Sequence, residues 1–159
     1  MMKKKSIKAL SIFNRKATFS YQLLDKSTAG IILQGSEVKS IRNGSVDLKE
    51  AYCYFANNEL FVKNMHISLY KPAAHNNHEP TRTRKLLLQR QELRKLQKKK
   101  KEQGSTIVPL RLFISKGGYV KLEIALAKGK KLHDKRQSMK EREVKKRLQR
   151  LRYKSTGIK

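Results

Sequence analysis

The sequence has no tryptophan, one cysteine, three prolines and only 12 acidic residues among 159. Each shortage excludes something. With Cys53 alone, no intrachain disulfide can form, and nothing demands an oxidising compartment. Cys53 lies in a strand-like run, where a free thiol is expected as a small buried hydrophobe. No apolar run nears the ~20 residues that a membrane-spanning helix requires. Residues 7–13 are too short and interrupted to serve as a secretory core behind Lys3-Lys4-Lys5. The cytoplasm is the expected location, with no membrane engaged. The shortage of aromatics argues against stacking on exposed single strands as the main binding mode.

Catalytic constellations are missing as well. His133 and Asp134 are sequence neighbours, a poor start for a nucleophile–base–orienter array. Residues 128–131 contain one glycine but lack the spacing and terminal Ser/Thr of a phosphate-binding loop. His75 and His78 have only Glu79 near them and no cysteine, which is thin for a metal site. No enzymatic activity, metal or cofactor is expected.

Positive charge is abundant. There are 39 Lys/Arg against the 12 acids, a net charge of +27. Self-repulsion at that level disfavours a compact state unless a polyanion screens it. Nucleic acid or an acidic membrane surface is the implied partner. Residues 128–159 hold 14 Lys/Arg against three acids, so a fifth of the chain carries +11 of the total. The length suits one domain with an extension.

Residues 1–13 are basic and patternless, and a disordered arm is expected there. Period-two spacing of Phe19, Tyr21 and Leu23 predicts a strand over 18–24. Asp25-Lys26-Ser27-Thr28 reads as a turn, and 29–34 as a second short strand. Ser36 is the expected N-cap of a short helix over 37–42, ended by Asn43-Gly44. Residues 46–55 and 60–67 read as strands joined by a tight Asn57-Asn58 turn. After a polar loop, Leu86, Leu87, Leu93 and Leu96 predict one long helix over 82–103, stopped by Gly104. Alternation over 108–114 and 119–127 predicts a hairpin turning at Lys116-Gly117-Gly118, with Pro109 at a strand start or edge. About six antiparallel strands with local connections favour a mainly β fold: a small oligonucleotide-binding-type barrel with appended helices. The expected division is a 1–13 arm, a 14–132 barrel and a 133–159 tail. Ser138 and Glu141 match a capping box, and Val144, Leu148 and Leu151 form a thin apolar stripe. Like charges three and four apart should leave this tail unfolded when free and helical on an anionic surface.

Five segments, in this order, carry a family resemblance. They are Asn14-Arg15-Lys16-Ala17, Ala29-Gly30, residues 35–42 (Gly-Ser-Glu-Val-Lys-Ser-Ile-Arg), residues 82–88 (Arg-Thr-Arg-Lys-Leu-Leu-Leu) and residues 129–136 (Gly-Lys-Lys-Leu-His-Asp-Lys-Arg). Together they resemble the SsrA-binding protein family, small protein B, over about 14–142. The resemblance implies a non-enzymatic bacterial protein that binds transfer-messenger RNA at its tRNA-like end. It would deliver that RNA to stalled ribosomes for trans-translation, its tail entering the decoding centre and empty mRNA channel. By the same resemblance, Asn14 and Leu87 are RNA-contact positions flanked by Arg15, Lys16, Arg84 and Lys85. Glu37 and Lys39 lie in the short helix that marks the family, and Gly129 is the tail's base. Arg42, Lys130 and Lys131 complete the expected RNA-binding set. His133, Asp134, Lys135 and Arg136 are expected at the decoding centre, followed by Lys140, Arg142, Lys145, Lys146, Arg147, Arg150 and Arg152 of the tail. Thr28 departs from the pattern, since a glutamate commonly precedes Ala-Gly. The free chain is expected to be a monomer. The rival readings are a basic structural protein of the ribosome, an RNA-modifying enzyme and a membrane-active helix, the last with too narrow an apolar stripe.

Overall fold

Side-chain alternation accounts for most of the sheet. The computed structural model describes residues 10–73 and 75–155. Its strands are β1 (Ser11–Phe13), β2 (Tyr21–Ile31), β3 (Val46–Asp47), β4 (Tyr52–Ala56), β5 (Glu59–Lys63), β6 (His66–Ile67), β7 (Arg84–Leu87), β8 (Thr106–Ile114) and β9 (Val120–Gly129). Its helices are α1 (Arg15–Ser20), α2 (Gly35–Arg42), α3 (Arg90–Gln103) and α4 (Leu132–Ser155). The antiparallel order β8-β4-β5-β7-β2-β9 returns to β8, closing a ring of six strands. The ring is uneven. β4 meets β8 at Cys53 opposite Ile107, whereas β8 and β9 pair along most of their length. Where β4 has diverged, β1 takes its place beside β8, with Phe13 opposite Arg111. β3 and β6 form a separate two-stranded sheet.

The core fills the ring. Ile41, Leu48, Cys53, Leu60, Val62, Met65, Leu86, Ile107, Leu112, Leu122, Ile124 and Leu126 are all buried. Leu96 of α3 joins them, with Leu93 packed alongside, so α3 contributes one apolar stripe. A second, smaller cluster lies on the other face of β8 and β9. There Ala17 of α1 covers Val108, Leu110, Ala125 and Ala127. β9 is therefore covered on both faces along this stretch, which explains its unbroken apolar run.

The register of β8 shifts between Pro109 and Arg111. One extra residue in a bulged strand moves later side chains to the opposite face. Ile107 and Leu112 consequently both point into the ring, while Val108 and Leu110 point to α1. Pro109 sits at this irregularity inside the strand, not at its start, since a bulge tolerates a missing donor.

Five sequence expectations need correction. The first strand expected over 18–24 is instead α1 followed by β2. The Asn14 side chain caps the helix by accepting from Ala17 N–H at 3.0 Å. β2 then runs straight through the expected Asp25–Thr28 turn, because β9 satisfies its backbone and a register shift after Leu23 absorbs the mismatch. The helix expected over 82–103 divides in two. Leu86 faces inward and Leu87 is 49% exposed, a strand's alternation, before α3 begins at Arg90. The cap of α2 is Gln34, not Ser36, with the Gln34 N–H donating to Glu37 Oε2 at 2.7 Å. Finally, the tail is one continuous helix over Leu132–Ser155.

The expected arm also shortens. Ser11–Phe13 is paired strand, while residues 1–9 lie outside the described residues. The turn chemistry holds as expected. Asn57 and Asn58 have φ of 48° and 59°, and Gly104 ends α3 at φ 56°.

Candidate nucleic-acid interface

At the centre of the motif-bearing segments is a buried ionic hub. Glu37 sits at the third position of α2 and is fully buried. Its Oε1 accepts from Arg82 Nε at 2.9 Å and Arg84 Nε at 2.7 Å; its Oε2 accepts from Arg82 Nη2 at 2.5 Å. Arg84 is also fully buried. Its Nη1 donates to the Met65 and Arg82 carbonyls at 2.6 and 3.0 Å, and its Nη2 to the Pro80 carbonyl at 3.0 Å. Burial alone would raise the Glu37 carboxyl, but hydrogen bonds from Arg82, the Gln34 backbone and Arg84 outweigh it and hold the group below its usual range. Glu37 and Arg84 were expected among RNA contacts. Neither offers an atom to a ligand: they fasten α2 to β7 and the 78–82 loop. Neighbouring His78 is buried too, its ring nitrogens engaged by Ser36 Oγ at 2.9 Å and the Ile67 carbonyl at 3.0 Å.

Asn14 is a second bolt. It is 3% exposed, and Nδ2 donates to the Leu48 and Pro109 carbonyls at 2.8 and 3.0 Å while Oδ1 caps α1. Its role is to place Arg15 and Lys16, which are both exposed. Lys16 reaches Glu50 at 2.5 Å. Lys130 fixes the joint: its N–H donates to the Ser20 carbonyl at 3.0 Å, and Nζ to Ser138 Oγ at 3.2 Å. Gly129 ends β9 opposite Tyr21, exposed and with open space where a Cβ would go. No steric reason for glycine exists at that position.

The remaining predicted residues do present surface. Lys39 and Arg42 are exposed on α2, with Lys39 Nζ 5.3 Å from the Tyr70 ring centre. Lys85 is half-buried and paired with Glu59 at 2.5 Å. Leu87 borders a groove of about 630 Å³ together with Lys85, Arg90, Leu93 and Arg94. Arg90 and Arg94 were not singled out in the sequence. They stand one helical turn apart on α3, and their spacing after Leu87 was the only available signal. Thr28 is exposed and opposite Glu123 across β2 and β9, so an acid stands on the same face one strand away. Glu123 in turn accepts from Arg111 Nε at 3.0 Å.

Lys131 is exposed before α4, and His133, Asp134, Lys135 and Arg136 form the first turns of that helix. A shallow cleft between α1 and α4 is lined by Thr18, Phe19, Ser138, Glu141, Arg142 and Lys145. From residue 139 to 152 every side chain is exposed, including Lys140, Lys146, Arg147, Arg150 and Arg152. Val144, Leu148 and Leu151 are 57, 56 and 55% exposed, so more than half of each residue of the apolar stripe is open.

Cys53 is buried, and burial alone drives its thiol far above the ordinary range. Among the described residues no group of three or more His, Cys, Asp and Glu could hold a metal ion, and no helix is long and apolar enough to cross a membrane.

A family model described as SmpB protein matches residues 11–154. The SsrA-binding protein of Christiangramia forsetii is 57% identical over 143 residues, covering 90% of this chain and 91% of that one. The SsrA-binding protein of Cytophaga hutchinsonii is 50% identical over 152 residues, covering 96% and 99%. A solved chain described under "tmRNA-SmpB: a journey to the center of the bacterial ribosome" is 41% identical, with a TM-score of 0.65, covering 77% of this chain and 85% of that one.

Proposed function

The chain belongs to the SmpB protein family, and from that premise we propose that it binds SsrA RNA, the transfer-messenger RNA, and brings it to the bacterial ribosome for trans-translation. The observation that carries this reading is the unbroken family match over residues 11–154, which takes in both the ring and the cationic helix. The chain acts by binding and not by turnover, in the bacterial cytoplasm.

The two parts divide the work. Residues 14–132 grip the tRNA-like end of the RNA. The contacts come from Arg15, Lys16, Lys39, Arg42, Lys85, Leu87 and Lys131, whose side chains are exposed or border grooves. Asn14, Glu37, Arg84 and Lys130 hold those contacts in place from within. Residues 133–159 engage the decoding centre and the empty mRNA channel. There His133, Asp134, Lys135 and Arg136 act first, and the cations from Lys140 to Arg152 follow the channel. A helix that carries this much positive charge with no covering element suits a groove walled by phosphates.

The division predicts separable losses. Asp134→Ala with Lys135→Ala and Arg136→Ala should leave SsrA RNA affinity in a filter-binding assay nearly unchanged and abolish tagging of a nonstop reporter. Parallel loss in both assays would refute the separation.

A further inference from the structure

Directly paired residues of an antiparallel sheet point to the same face. Register sets Tyr52 opposite Lys63, Tyr54 opposite Phe61, and Phe61 opposite Lys85. Their chain neighbours Cys53, Leu60, Val62 and Leu86 fill the ring, so this second set points outward. The Tyr52 and Tyr54 ring centres are 6.2 Å apart at 43°, and those of Tyr54 and Phe61 5.9 Å apart at 28°. Three rings thus form a ladder across the outer surface. Tyr52 is 39% exposed, and Tyr54 and Phe61 are half-buried.

The ladder's position gives it meaning. Tyr52 borders a groove of about 420 Å³ shared with Lys16 and Lys49. Lys85, beside Phe61, borders the groove of Leu87, Arg90 and Arg94. The rings therefore bridge two basic sites that otherwise stand apart. The acids at the margins, Glu50 and Glu59, are each paired to a lysine. Lys63 is exposed at the ladder's edge. An aromatic row with cations at both ends matches what unpaired nucleotides require: a ring for each base and an ammonium for each phosphate.

We propose that the outer face of β4, β5 and β7 is a stacking platform for unpaired bases of RNA, with Lys63 and Lys85 meeting the phosphates between them. The platform rests on the RNA-binding reading and extends it from backbone contacts to base faces.

The chain has six tyrosines and no tryptophan, so tyrosine emission is uncontaminated. Titrating the full chain with a single-stranded oligoadenylate RNA should quench that emission. The triple variant Tyr52→Leu, Tyr54→Leu, Phe61→Leu should bind the oligonucleotide about 5- to 150-fold more weakly for each base released. Tyr52→Leu alone, at the most exposed ring, should show the same direction with an unchanged thermal midpoint. Wild-type affinity for the oligonucleotide in that single variant and in the folded triple variant would overturn the platform. So would full RNA affinity combined with lost ribosome co-sedimentation, which would make the face a protein contact. If the wild-type chain were quenched by oligoadenylate yet failed to bind SsrA RNA, the proposed function would fall while the platform stood.

Discussion

Replacing Glu37 by Gln removes a single negative charge from between two guanidiniums and changes little in shape. Arg84 stays fully buried, still held by the Met65, Arg82 and Pro80 carbonyls, but without the carboxylate it is bonded to. Removing one partner of a buried ion pair costs about 3–5 kcal/mol, because the remaining charge is stranded. Domains of this kind total only about 5–15 kcal/mol of stability. At roughly 2–4 °C per kcal/mol for a chain of this length, the melting midpoint should fall by about 6–20 °C. Thermal unfolding followed by circular dichroism measures it, and RNA affinity taken well below the midpoint should be little changed.

The pH dependence supplies a second readout. The folded Glu37 carboxyl titrates below its ordinary 4.5, so the unfolded chain binds the extra proton first as pH falls. The hub's stabilisation is therefore complete above that ordinary value and is lost as pH drops below it. Glu37→Gln should remove this part of the acid sensitivity. A variant that melted with the wild type but lost its RNA would refute the assignment, showing Glu37 to be a ligand contact.

Asn14→Ala removes a helix cap and the side-chain donor to the Leu48 and Pro109 carbonyls, of which Leu48 keeps the Ala51 N–H, costing about 2–4 kcal/mol in a denaturant titration. RNA binding should weaken through misplacement of Arg15 and Lys16, and Asn14→Asp should not restore it. The native Cys53 thiol should resist alkylating reagents, reacting only at the rate of unfolding, because its pKa is raised by burial. If about six phosphates are neutralised, log K for SsrA RNA should fall against log salt with a slope of about −4 to −5; a slope near zero would mean that charge is not the main driver. Amide exchange in the free chain should show protection at the Lys130 joint and much less along residues 139–152, whose side chains are all exposed.

Turns built on asparagine or glycine were the most legible part of the fold, whereas the expected Asp25–Thr28 turn is strand. Asn57-Asn58 and the glycines at 44, 104 and 118 mark places where the backbone takes positive φ, and local chemistry decides those. The β8–β9 hairpin was legible because both strands keep their alternation for several residues. Ring closure was not, since it rests on the single Cys53–Ile107 meeting of two distant strands. The helix at 15–20 hid behind Phe19, Tyr21 and Leu23, whose period of two spans a helix end and a strand start. Leu86-Leu87 fitted a helical stripe only while the strand boundary at Leu87 was unknown. The motif residues divide in an instructive way. Sequence resemblance identified Asn14, Glu37 and Arg84 as a set, but the bonds from Asn14 to Leu48 and Pro109 and between Glu37 and Arg84 span 34 to 95 positions. No local pattern reports such distances, so buried fasteners and surface contacts looked alike.

The geometry of the tail helix has a mechanical consequence. Twenty-four residues at 1.5 Å each make a rod of about 36 Å. It is clamped near one end, where Lys130 ties Ser20 to Ser138 and Phe19 flanks the cleft. A tilt of about 10° at the clamp swings the far tip by ~6 Å, roughly one helical pitch. Small adjustments of α1 on the ring are thereby amplified into the aim of a whole row of arginines and lysines, as a short turn of a tiller swings a long bow.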